Sequence, residues 1–308
     1  MIPFSLKQLT YFVTAAELGS VSEAARTLYI SQPSISAAIA GLEEYYGQPL
    51  LVRHHGSGVS TTPMGRELFE QARQILKAAE EATLIGDQNR LSVRGVVTIG
   101  CYSELAAFVL PSAISELKHA YPDLSPNLVI EDFQGLSEGL DKGQLDMVIS
   151  FDMALKDNVV KQTIKTVQPY AMLPEDHPLA TKQKVDLASL LQEPFIMSDS
   201  PHSNEHFLQL FASLKLSPNV VFRVRSFELL RGMVANGHGV SAAYVHPVSD
   251  QVYDGKRLIC RPLADQLMEH RIVLARCRSF GQTRAATAAW SLLEQHLINV
   301  FEQADVCY

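Results

Sequence analysis

The sequence predicts a small helical domain, a long helix and then a larger two-lobed α/β domain. Apolar residues recur at helical spacing through most of residues 6–88, whereas short apolar strands alternate with helices after residue 95. The polar segment Asn89–Gly95 separates the two patterns. With 308 residues, 47% of them apolar, the chain is long enough to form two or more domains with substantial cores.

Two short helices joined by a turn are predicted for the segment SVSEAARTLYISQPSISAAIAGLEEYYG. Ser20 and Glu23 form a capping-box pattern at the start of the first helix. Ser31 is placed to cap the second helix, and Pro33 is tolerated in its first turn because no intrahelical N–H is needed there. Spacings of four, three and four residues predict the buried face of the second helix, which comprises Ile35, Ile39, Leu42 and Tyr46.

The opposite face of that second helix is smooth and short-chained. A surface helix usually presents long charged side chains, so this face favours close approach to the major groove of DNA. An ordinary alanine-rich helical hairpin is the alternative, because helix-turn-helix patterns give many false positives. The exposed face is predicted to carry Gln32, Ser34, Ser36, Ala37 and Ala40.

The flanking segments favour the DNA-binding interpretation. Upstream, apolar residues at helical spacing predict a supporting helix that begins near Leu6. Downstream, two short extended runs around a glycine turn predict a hairpin wing between Pro49 and Thr61. Thr62 then caps a long helix with Pro63 at its first position. Three helices and a wing form a winged helix-turn-helix, in which the second helix of the pair enters the major groove.

Together these segments resemble the N-terminal domain of LysR-type transcriptional regulators. The family implies a sequence-specific DNA-binding regulator that responds to a small-molecule effector. It also implies double-stranded promoter DNA as a partner, RNA polymerase as a candidate partner, and a homodimer or homotetramer. The resemblance rests on the ordered motifs Leu9-Thr10-Tyr11-Phe12, Gly19-Ser20, Ala24-Ala25, Ser31-Gln32-Pro33-Ser34, Leu42-Glu43, Arg53 and Thr62-Pro63-Met64-Gly65.

The resemblance also implies which residues face DNA. Ala37 departs from the family pattern, which usually has arginine at that position. We therefore expect sequence readout to depend more on Gln32, Ser36, the wing and DNA shape. In the family, the positions that match Gln32, Pro33, Ser34, Ser36 and Arg53 commonly face DNA. With the neighbouring candidates, the predicted DNA-binding residues are Ser31, Gln32, Pro33, Ser34, Ser36, Ala37, Arg53 and Thr62.

The charge of the chain limits how it binds DNA. The 26 Lys and Arg against 33 Asp and Glu give a net charge of -7, which is unfavourable for a protein that binds only by attraction to phosphates. Through Arg66 the balance is neutral. We expect modest nonspecific binding and a shallow salt dependence for each head, with affinity gained by joining two or more heads on one DNA.

A dimerising helix is predicted from Pro63 to about Gln88. Its apolar positions alternate spacings of four and three, as in a coiled-coil seam, although a helix packed on its own domain is the alternative. The family resemblance agrees with the seam, and a dimer implies inverted half-sites separated by whole helical turns. The seam positions are Leu68, Ala72, Ile75, Ala79 and Ala82.

The apolar strands after residue 95 predict parallel sheets covered on both faces. The order of elements indicates two lobes that the chain connects twice, which resembles the periplasmic-binding-protein-like effector domain of the family. The predicted domains are the DNA-binding domain at 1–62, the linker helix and hinge at 63–90, and the effector-binding domain at 91–308. The predicted lobes are lobe I at about 91–162 and 268–308 and lobe II at about 163–267.

The effector site is expected where strands end and helices begin. Helix N-termini that carry serine hydroxyls suit an anion, although such serines are also ordinary caps. We expect a small carboxylate or similarly polar metabolite, with His202 or Arg225 as counter-charge, while Glu104 and Asp152 would oppose an anion. From the residues and the family's cleft positions, the candidates are Cys101, Tyr102, Ser103, Gln134, Phe151, Ser198, His202, Ser203, Arg225 and Tyr244.

Other function classes have less support. His202 and His206 are spaced as two metal ligands on one helical face, but no third ligand follows at a recognised spacing. The sequence contains no nucleophile elbow, phosphate loop or dinucleotide fingerprint, so we expect neither an enzyme nor a cofactor nor a metal. A binding protein for transport shares the two-lobed fold, but the N-terminal head and the lack of an export signal argue against it.

The remaining features predict a cytoplasmic protein without membrane contact. No stretch approaches the roughly 18 apolar residues that a membrane helix needs, and the N-terminus has no basic region followed by an apolar one. The cysteines lie far apart, which indicates reduced thiols rather than a disulfide framework or a zinc site. They are Cys101, Cys260, Cys277 and Cys307.

Overall fold

The structure is a computed structural model that divides into two compact units, Met1–Ser92 with Lys142–Gln144 and Val93–Asp141 with Leu145–Tyr308. None of the described helices is long and apolar enough to cross a membrane. The predicted hinge residues 89–92 lie outside the described residues. The structure describes residues 3–54, 58–84, 93–156, 158–199, 201–246, 249–265, 267, 269–278 and 281–305.

The first unit is a winged helix-turn-helix domain, as predicted. The antiparallel wing pairs Leu51 with Thr61 and Arg53 with Val59. One apolar core joins the helices to the wing, and Phe12, Ile35 and Leu42 are fully buried in it. The elements are α1 (Leu6–Glu17), α2 (Val21–Thr27), α3 (Gln32–Tyr46), β1 (Leu51–His54), β2 (Gly58–Thr61) and α4 (Pro63–Leu84).

The caps of α2 and α3 differ in part from the sequence prediction. The Ser20 hydroxyl accepts a hydrogen bond from the Glu23 backbone N–H at 3.2 Å, but the Glu23 carboxylate forms an ion pair with Arg26 at 2.7 Å. Ser31 precedes α3 without capping it through its side chain. Its hydroxyl instead lies 2.7 Å from that of Ser34, so Ser31 occupies the expected N-cap position but makes no capping hydrogen bond with its side chain.

Two glycines shape the head in different ways. A Cβ added at Gly65 would lie 1.9 Å from the carbonyl oxygen of Leu50, so only glycine allows the first turn of α4 to pack against the start of the wing. Gly47 ends α3 with a φ of +66°, in the left-handed region, and an added Cβ there would meet nothing within 4 Å.

The predicted seam of α4 divides between two environments. Leu68 and Ala72 are buried in the core of the head, so the first half of α4 packs on its own domain, as the alternative interpretation had it. Ile75 is 42% exposed, and Ala82 is also exposed. The remaining seam positions, Ile75, Ala79 and Ala82, therefore form the part of α4 that a second chain can reach.

The second unit contains two lobes, each built on its own sheet. Short 3-10 turns at Asp152–Ala154 and Pro178–Thr181 lie between some of the regular elements. Those elements are β3 (Gly95–Tyr102), α5 (Ser103–Ala120), β4 (Leu124–Glu131), α6 (Phe133–Asp141), β5 (Met147–Phe151), β6 (Val159–Val167), β7 (Tyr170–Pro174), α7 (Leu187–Gln192), β8 (Pro194–Ser198), α8 (Pro201–Ser213), β9 (Asn219–Val224), α9 (Phe227–Ala235), β10 (Ser241–Ala243), β11 (Leu258–Pro262), β12 (His270–Cys277) and α10 (Arg284–Asp305).

Lobe I is built on a five-stranded mixed sheet in the order β4-β3-β5-β12-β6. Strand β3 is parallel to β4 and β5, as predicted, but β12 is antiparallel to β5 and β6. The expectation of an all-parallel sheet is therefore wrong. Strand β12 is antiparallel because the chain leaves the lobe along β6 and returns along β12 in the opposite direction. Strand β6 also continues to Val167, beyond the lobe boundary expected at residue 162.

Lobe II combines an antiparallel sheet in the order β10-β7-β11 with the parallel pair β8-β9. A bridge between Phe195 and Val240 connects β8 to the residues that lead into β10. Strand β11 and the short helix α7 were not predicted from the sequence. Asp186 caps α7, because its side chain accepts a hydrogen bond from the Ser189 backbone N–H at 2.7 Å. Aspartate is a preferred N-cap residue, so this helix start has a signal in the sequence.

Candidate functional site

The exposed face of α3 is polar, short-chained and without an acidic group in its first turns. The Gln32 side-chain oxygen accepts a hydrogen bond from the Ser22 hydroxyl at 3.2 Å, which orients the amide at the start of the helix. Ser36 is half-buried beside this face. The exposed candidates here are Ser31, Gln32, Pro33, Ser34 and Ala37.

Glu43, near the end of α3, is held by the wing. One carboxylate oxygen of Glu43 accepts hydrogen bonds from the backbone N–H groups of Leu50 at 2.8 Å and Leu51 at 3.3 Å. Glu43 is thereby fixed to the start of the wing.

The wing contributes one exposed cation and one structural cap. Arg53 lies on β1 with an exposed side chain, in a position suited to a phosphate. The Thr62 hydroxyl donates to the Pro49 carbonyl at 2.7 Å and accepts from the Gly65 backbone N–H at 2.9 Å. Thr62 therefore holds α4 to the wing, and its hydroxyl already has partners within the protein.

The positive charges of the head are partly paired. Arg26 lies 2.7 Å from a carboxylate oxygen of Glu23, and Arg73 lies 3.7 Å from Glu17. Both pairs are at the surface, so they add little stability but lower the charge that faces solvent. This pairing is consistent with the neutral balance of the head.

A narrow cleft, open in part to solvent, lies between lobes I and II. Three of the candidate residues line it: Phe151, Ser198 and Tyr244. Glu104 also lines it, as expected, whereas the apolar residues that form most of the wall were not predicted from the sequence. Those residues are Phe133, Met153, Phe207, Phe227, Leu230, Ala242 and Ala243.

Aromatic rings form the floor of the cleft. The Tyr244 ring lies 5.3 Å from that of Phe207 and 6.1 Å from that of Phe151, which belongs to the opposite lobe. Phe133 stacks on Tyr102 at 4.2 Å, so Tyr102 supports the wall from behind. Burial raises the pKa of Tyr244, and the phenol therefore stays neutral over the physiological range.

Glu104 and Ser198 form a polar contact across the cleft. The Ser198 hydroxyl of lobe II donates to a carboxylate oxygen of Glu104 in lobe I at 3.2 Å. Glu104 keeps a partly accessible surface in the cleft. Burial removes water from its carboxyl group and thereby raises the pKa of that group. Hydrogen bonds with Ser198 and Tyr102 act in the opposite direction. The carboxyl group is thus the ionisable acid that a bound ligand would meet.

Four candidates on β3, α5 and α6 do not line the cleft. Cys101 is fully buried on β3, with its sulfur 3.6 Å from the Tyr102 carbonyl oxygen, and Tyr102 is itself fully buried. Ser103 is exposed at the start of α5. The exposed Gln134 donates to Glu138 at 2.8 Å on the same helix.

The expected counter-charges do not come together with the cleft in the described residues. The Arg225 side chain is 88% exposed and lies 3.6 Å from a carboxylate oxygen of Asp199. It does not line the cleft. His202 and Ser203 belong to the first turn of α8, but their side chains lie outside the described part of the chain. No described residue that lines the cleft is basic.

Two family models match the chain. The model described as bacterial regulatory helix-turn-helix protein, lysR family, matches residues 6–66, and the model described as LysR substrate binding domain matches residues 91–298. The HTH-type transcriptional regulator BenM of Acinetobacter baylyi is 30% identical over 257 residues, which cover 81% of this chain and 83% of that protein. The uncharacterized HTH-type transcriptional regulator YnfL of Escherichia coli is 32% identical over 242 residues, with coverage of 77% and 80%.

A solved structure gives the same result over nearly the whole chain. HinK, a LysR family transcriptional regulator from Pseudomonas aeruginosa, has 34% identity and a TM-score of 0.62, and the match covers 96% of this chain and 99% of that chain. The winged head and the two-lobed domain with its cleft define a DNA-binding transcriptional regulator with an effector-binding domain. The chain belongs to the LysR family of transcriptional regulators. As a member, it is a DNA-binding transcriptional regulator.

Proposed function

We propose that this regulator reads its operator with the exposed face of α3 and holds the DNA backbone with Arg53 of the wing. The proposal rests on a smooth face without acidic groups and on the exposed Arg53 cation. The small side chains of Ser34, Ser36 and Ala37 allow close approach, and Gln32 can donate and accept at a base edge. Because Ala37 contributes no base contact, we expect part of the specificity to come from DNA shape.

The assembly follows from the exposed part of α4. Ile75, Ala79 and Ala82 pair with a second chain, so that two heads act on one DNA as a homodimer or within a homotetramer. Linking two weakly charged heads supplies the affinity that one neutral head lacks. In this role the protein acts in the cytoplasm at promoter DNA, with RNA polymerase as its partner in transcription and without enzymatic activity.

The effector binds in the cleft, and we propose that it is neutral or cationic, with an aromatic or apolar body and a hydrogen-bond donor. The observation that carries this is the wall of the cleft, which combines Phe133, Phe151, Phe207 and Tyr244 with the carboxyl of Glu104. Apolar walls bind apolar surface, and Glu104 accepts a hydrogen bond or pairs with a cation. The anion expected from the sequence would instead lie against a carboxyl group.

The mechanism is a shift between two arrangements of the lobes. The hydrogen bond from Ser198 to Glu104 joins lobe II to lobe I across the cleft, so a ligand that takes over either partner changes how the lobes are held together. The ligand can move this equilibrium only by as much as it prefers one arrangement. The linker helix then transmits the change to the DNA heads.

Fluorescence anisotropy with DNA from upstream of the protein's own gene tests the first part. We expect the native duplex to bind at least about a hundredfold more tightly than a scrambled duplex at physiological salt, a ratio at the modest end of specific recognition. Gln32→Ala should lower this ratio about tenfold, the value of one good base contact. Gln48→Ala, at an exposed position beyond the end of α3, serves as the matched control. Equal affinity for several native upstream duplexes and their scrambled versions would contradict the proposal.

A thermal-shift screen tests the effector class. It compares matched triples in which one aromatic body carries an amine, an amide or a carboxylate. We expect the amine and amide to stabilise the protein and the carboxylate to have little effect. Glu104→Gln should remove the preference for the amine while retaining binding of the amide. Stabilisation by carboxylates alone would overturn the proposed chemistry and favour the anionic effector that was expected from the sequence.

A further inference from the structure

A second group of polar side chains lies in lobe II. His246 follows β10, Asp250 comes four residues later, and Cys260 lies on β11. One ligand atom of each residue lies within 4.8 Å of the other two. Among the residues that the structure describes, this is the one group of three or more His, Cys, Asp or Glu side chains close enough to share a metal ion. None of its members lines the effector cleft.

The fold holds Asp250 in place from both sides. The Leu258 backbone N–H donates to the Asp250 carbonyl oxygen at 3.1 Å, which ties this residue to the start of β11. The Arg231 guanidinium donates to the carbonyl oxygens of Ser249 and Gln251, the two neighbours of Asp250. The backbone that carries the carboxylate is therefore anchored before any ligand arrives.

His246 and Cys260 are also held by their surroundings. The His246 ring packs against the Tyr170 ring with centroids 4.7 Å apart, and its Nε2 atom lies 4.0 Å from a carboxylate oxygen of Asp250. Cys260 is fixed on β11 by antiparallel pairing with Met172 of β7. All three residues are partly exposed, but the Nε2 atom of His246 and a carboxylate oxygen of Asp250 are themselves buried, so an ion reaches them only when neighbouring side chains shift.

The charges around the group are mixed. Arg231 faces it but is held by both carboxylate oxygens of Glu228, at 3.0 and 3.1 Å. The positive charge of Arg261 lowers the pKa of the Cys260 thiol, whereas the negative charge of Asp250 raises it. Burial first, and then the Asp250 carboxylate, raise the pKa of Cys260, so the free protein carries a thiol. A metal ion that binds here displaces the thiol proton to solvent.

We propose that His246, Asp250 and Cys260 bind one zinc ion or a similar divalent transition metal. One imidazole nitrogen, one carboxylate oxygen and one thiolate sulfur are ligands that zinc accepts, and the fourth tetrahedral position is left to water. Zinc bonds of about 2.0–2.3 Å bring tetrahedral ligand atoms to about 3.5 Å from one another. Small side-chain rotations close the difference from the present spacing. The alternative is a hydrogen-bonded cluster without metal.

Metal binding would give lobe II a second ligand, besides the effector, that can change its conformation. His246 lies two residues beyond Tyr244, which lines the effector cleft. An ion that joins His246 to β11 restrains the segment that carries Tyr244. The site is separate from the proposed effector, so either can fail without the other.

The test uses full-length, chelator-treated protein without a histidine tag, titrated with Co²⁺ and then with Zn²⁺. We expect one Co²⁺ per chain, with a near-ultraviolet charge-transfer band that reports thiolate ligation, and displacement of Co²⁺ by Zn²⁺. Cys260→Ser should abolish the band. His246→Gln and Asp250→Asn should each weaken Co²⁺ binding at least tenfold, and Cys277→Ala and Cys307→Ser are the matched cysteine controls.

The outcomes separate the proposal from its alternatives. Loss of the band in Cys260→Ser, with both cysteine controls unchanged and the urea midpoint of the metal-free protein preserved, supports the site. A wild-type protein without a band overturns it. A band that survives Cys260→Ser also overturns it and points to another cysteine as the ligand. Zinc binding that survives all three ligand substitutions likewise overturns it and points to other residues such as His202 and His206.

Discussion

The DNA-binding head and the effector domain are built in opposite ways. In the head, the buried face of α3 comes from residues within one helix, and the whole core comes from one continuous stretch of chain. In lobe I, β12 pairs Ile272 with both Phe151 and Lys165, residues more than a hundred positions earlier. A head made of local contacts can be predicted from sequence, whereas a cleft made of distant ones depends on how the chain returns.

The two regions also recognise their targets with different surfaces. The face of α3 is polar, smooth and exposed, and it works by letting another molecule come close. The cleft is concave and aromatic, with one carboxyl group placed between the lobes. If the regions are physically independent, a change that destroys one should leave the other intact. The single tryptophan, Trp290 on α10, allows the effector domain to be followed on its own.

The largest expected effect is that of Gly65→Ala. The new Cβ would collide with the Leu50 carbonyl oxygen, a backbone atom that cannot move aside, so the head should lose about 4 kcal/mol or more of stability. DNA binding measured by anisotropy should disappear while the urea midpoint of Trp290 fluorescence stays unchanged. Gly47→Ala, which meets only the left-handed backbone penalty, should cost about 1–2 kcal/mol. Similar effects of the two substitutions would show that the contact relaxes.

The next largest effect is expected from Leu274→Ala, which should destabilise the effector domain. Leu274 is fully buried on β12, and removal of its side chain should cost about 3 kcal/mol through lost burial and a residual cavity. The Trp290 transition in urea should move to lower denaturant, and DNA binding at low temperature should persist. Val96→Ala, at a 60% exposed position, is the control and should change little. Loss of DNA binding in parallel with the Trp290 transition would mean that the two units unfold together.

Arg53→Ala should have a smaller effect, confined to the head. Loss of one phosphate contact should weaken binding to native and scrambled DNA alike, by about five- to tenfold, and should reduce the salt slope by about one. Anisotropy titrations over a range of salt concentrations measure both. Arg26→Ala, which removes a cation already paired with Glu23, is the matched control. A change in the ratio of native to scrambled binding would instead identify Arg53 as a reader of sequence.

The smallest effect is expected from Glu104→Gln in the free protein. Because the pKa of Glu104 is raised on folding, the folded state holds this proton more tightly than the unfolded state. Its contribution is fully present below the unfolded pKa and is lost as the pH rises through the folded value. The variant should therefore be more stable than the wild type near neutral pH, with the difference shrinking in acid. Thermal unfolding across pH measures it, and a difference independent of pH would refute the argument.

The contrast explains what could be predicted from the sequence. The helices of the head, the wing and the exposed face of α3 follow from spacing and caps. In the cleft, Phe151, Ser198 and Tyr244 were named because they end strands or resemble family positions, but Phe207 and Phe227 appear in the sequence only as ordinary apolar residues of helices. Their role depends on which helix faces the other lobe. The group around Cys260 was not predicted for the same reason, since Cys260 lies on a separate strand ten residues after Asp250 and the three ligands form no recognised metal-binding motif.

The late return of β12 has a consequence for synthesis on the ribosome. The head and lobe II are each continuous stretches of chain, so a nascent chain can complete them as they emerge. Lobe I cannot be completed in this way, because β12 fills the gap between β5 and β6 and α10 follows it at the end of the chain. Until then, two strand edges stay open to wrong partners. A premature stop after lobe II would therefore yield a chain with a finished head and an aggregation-prone remainder.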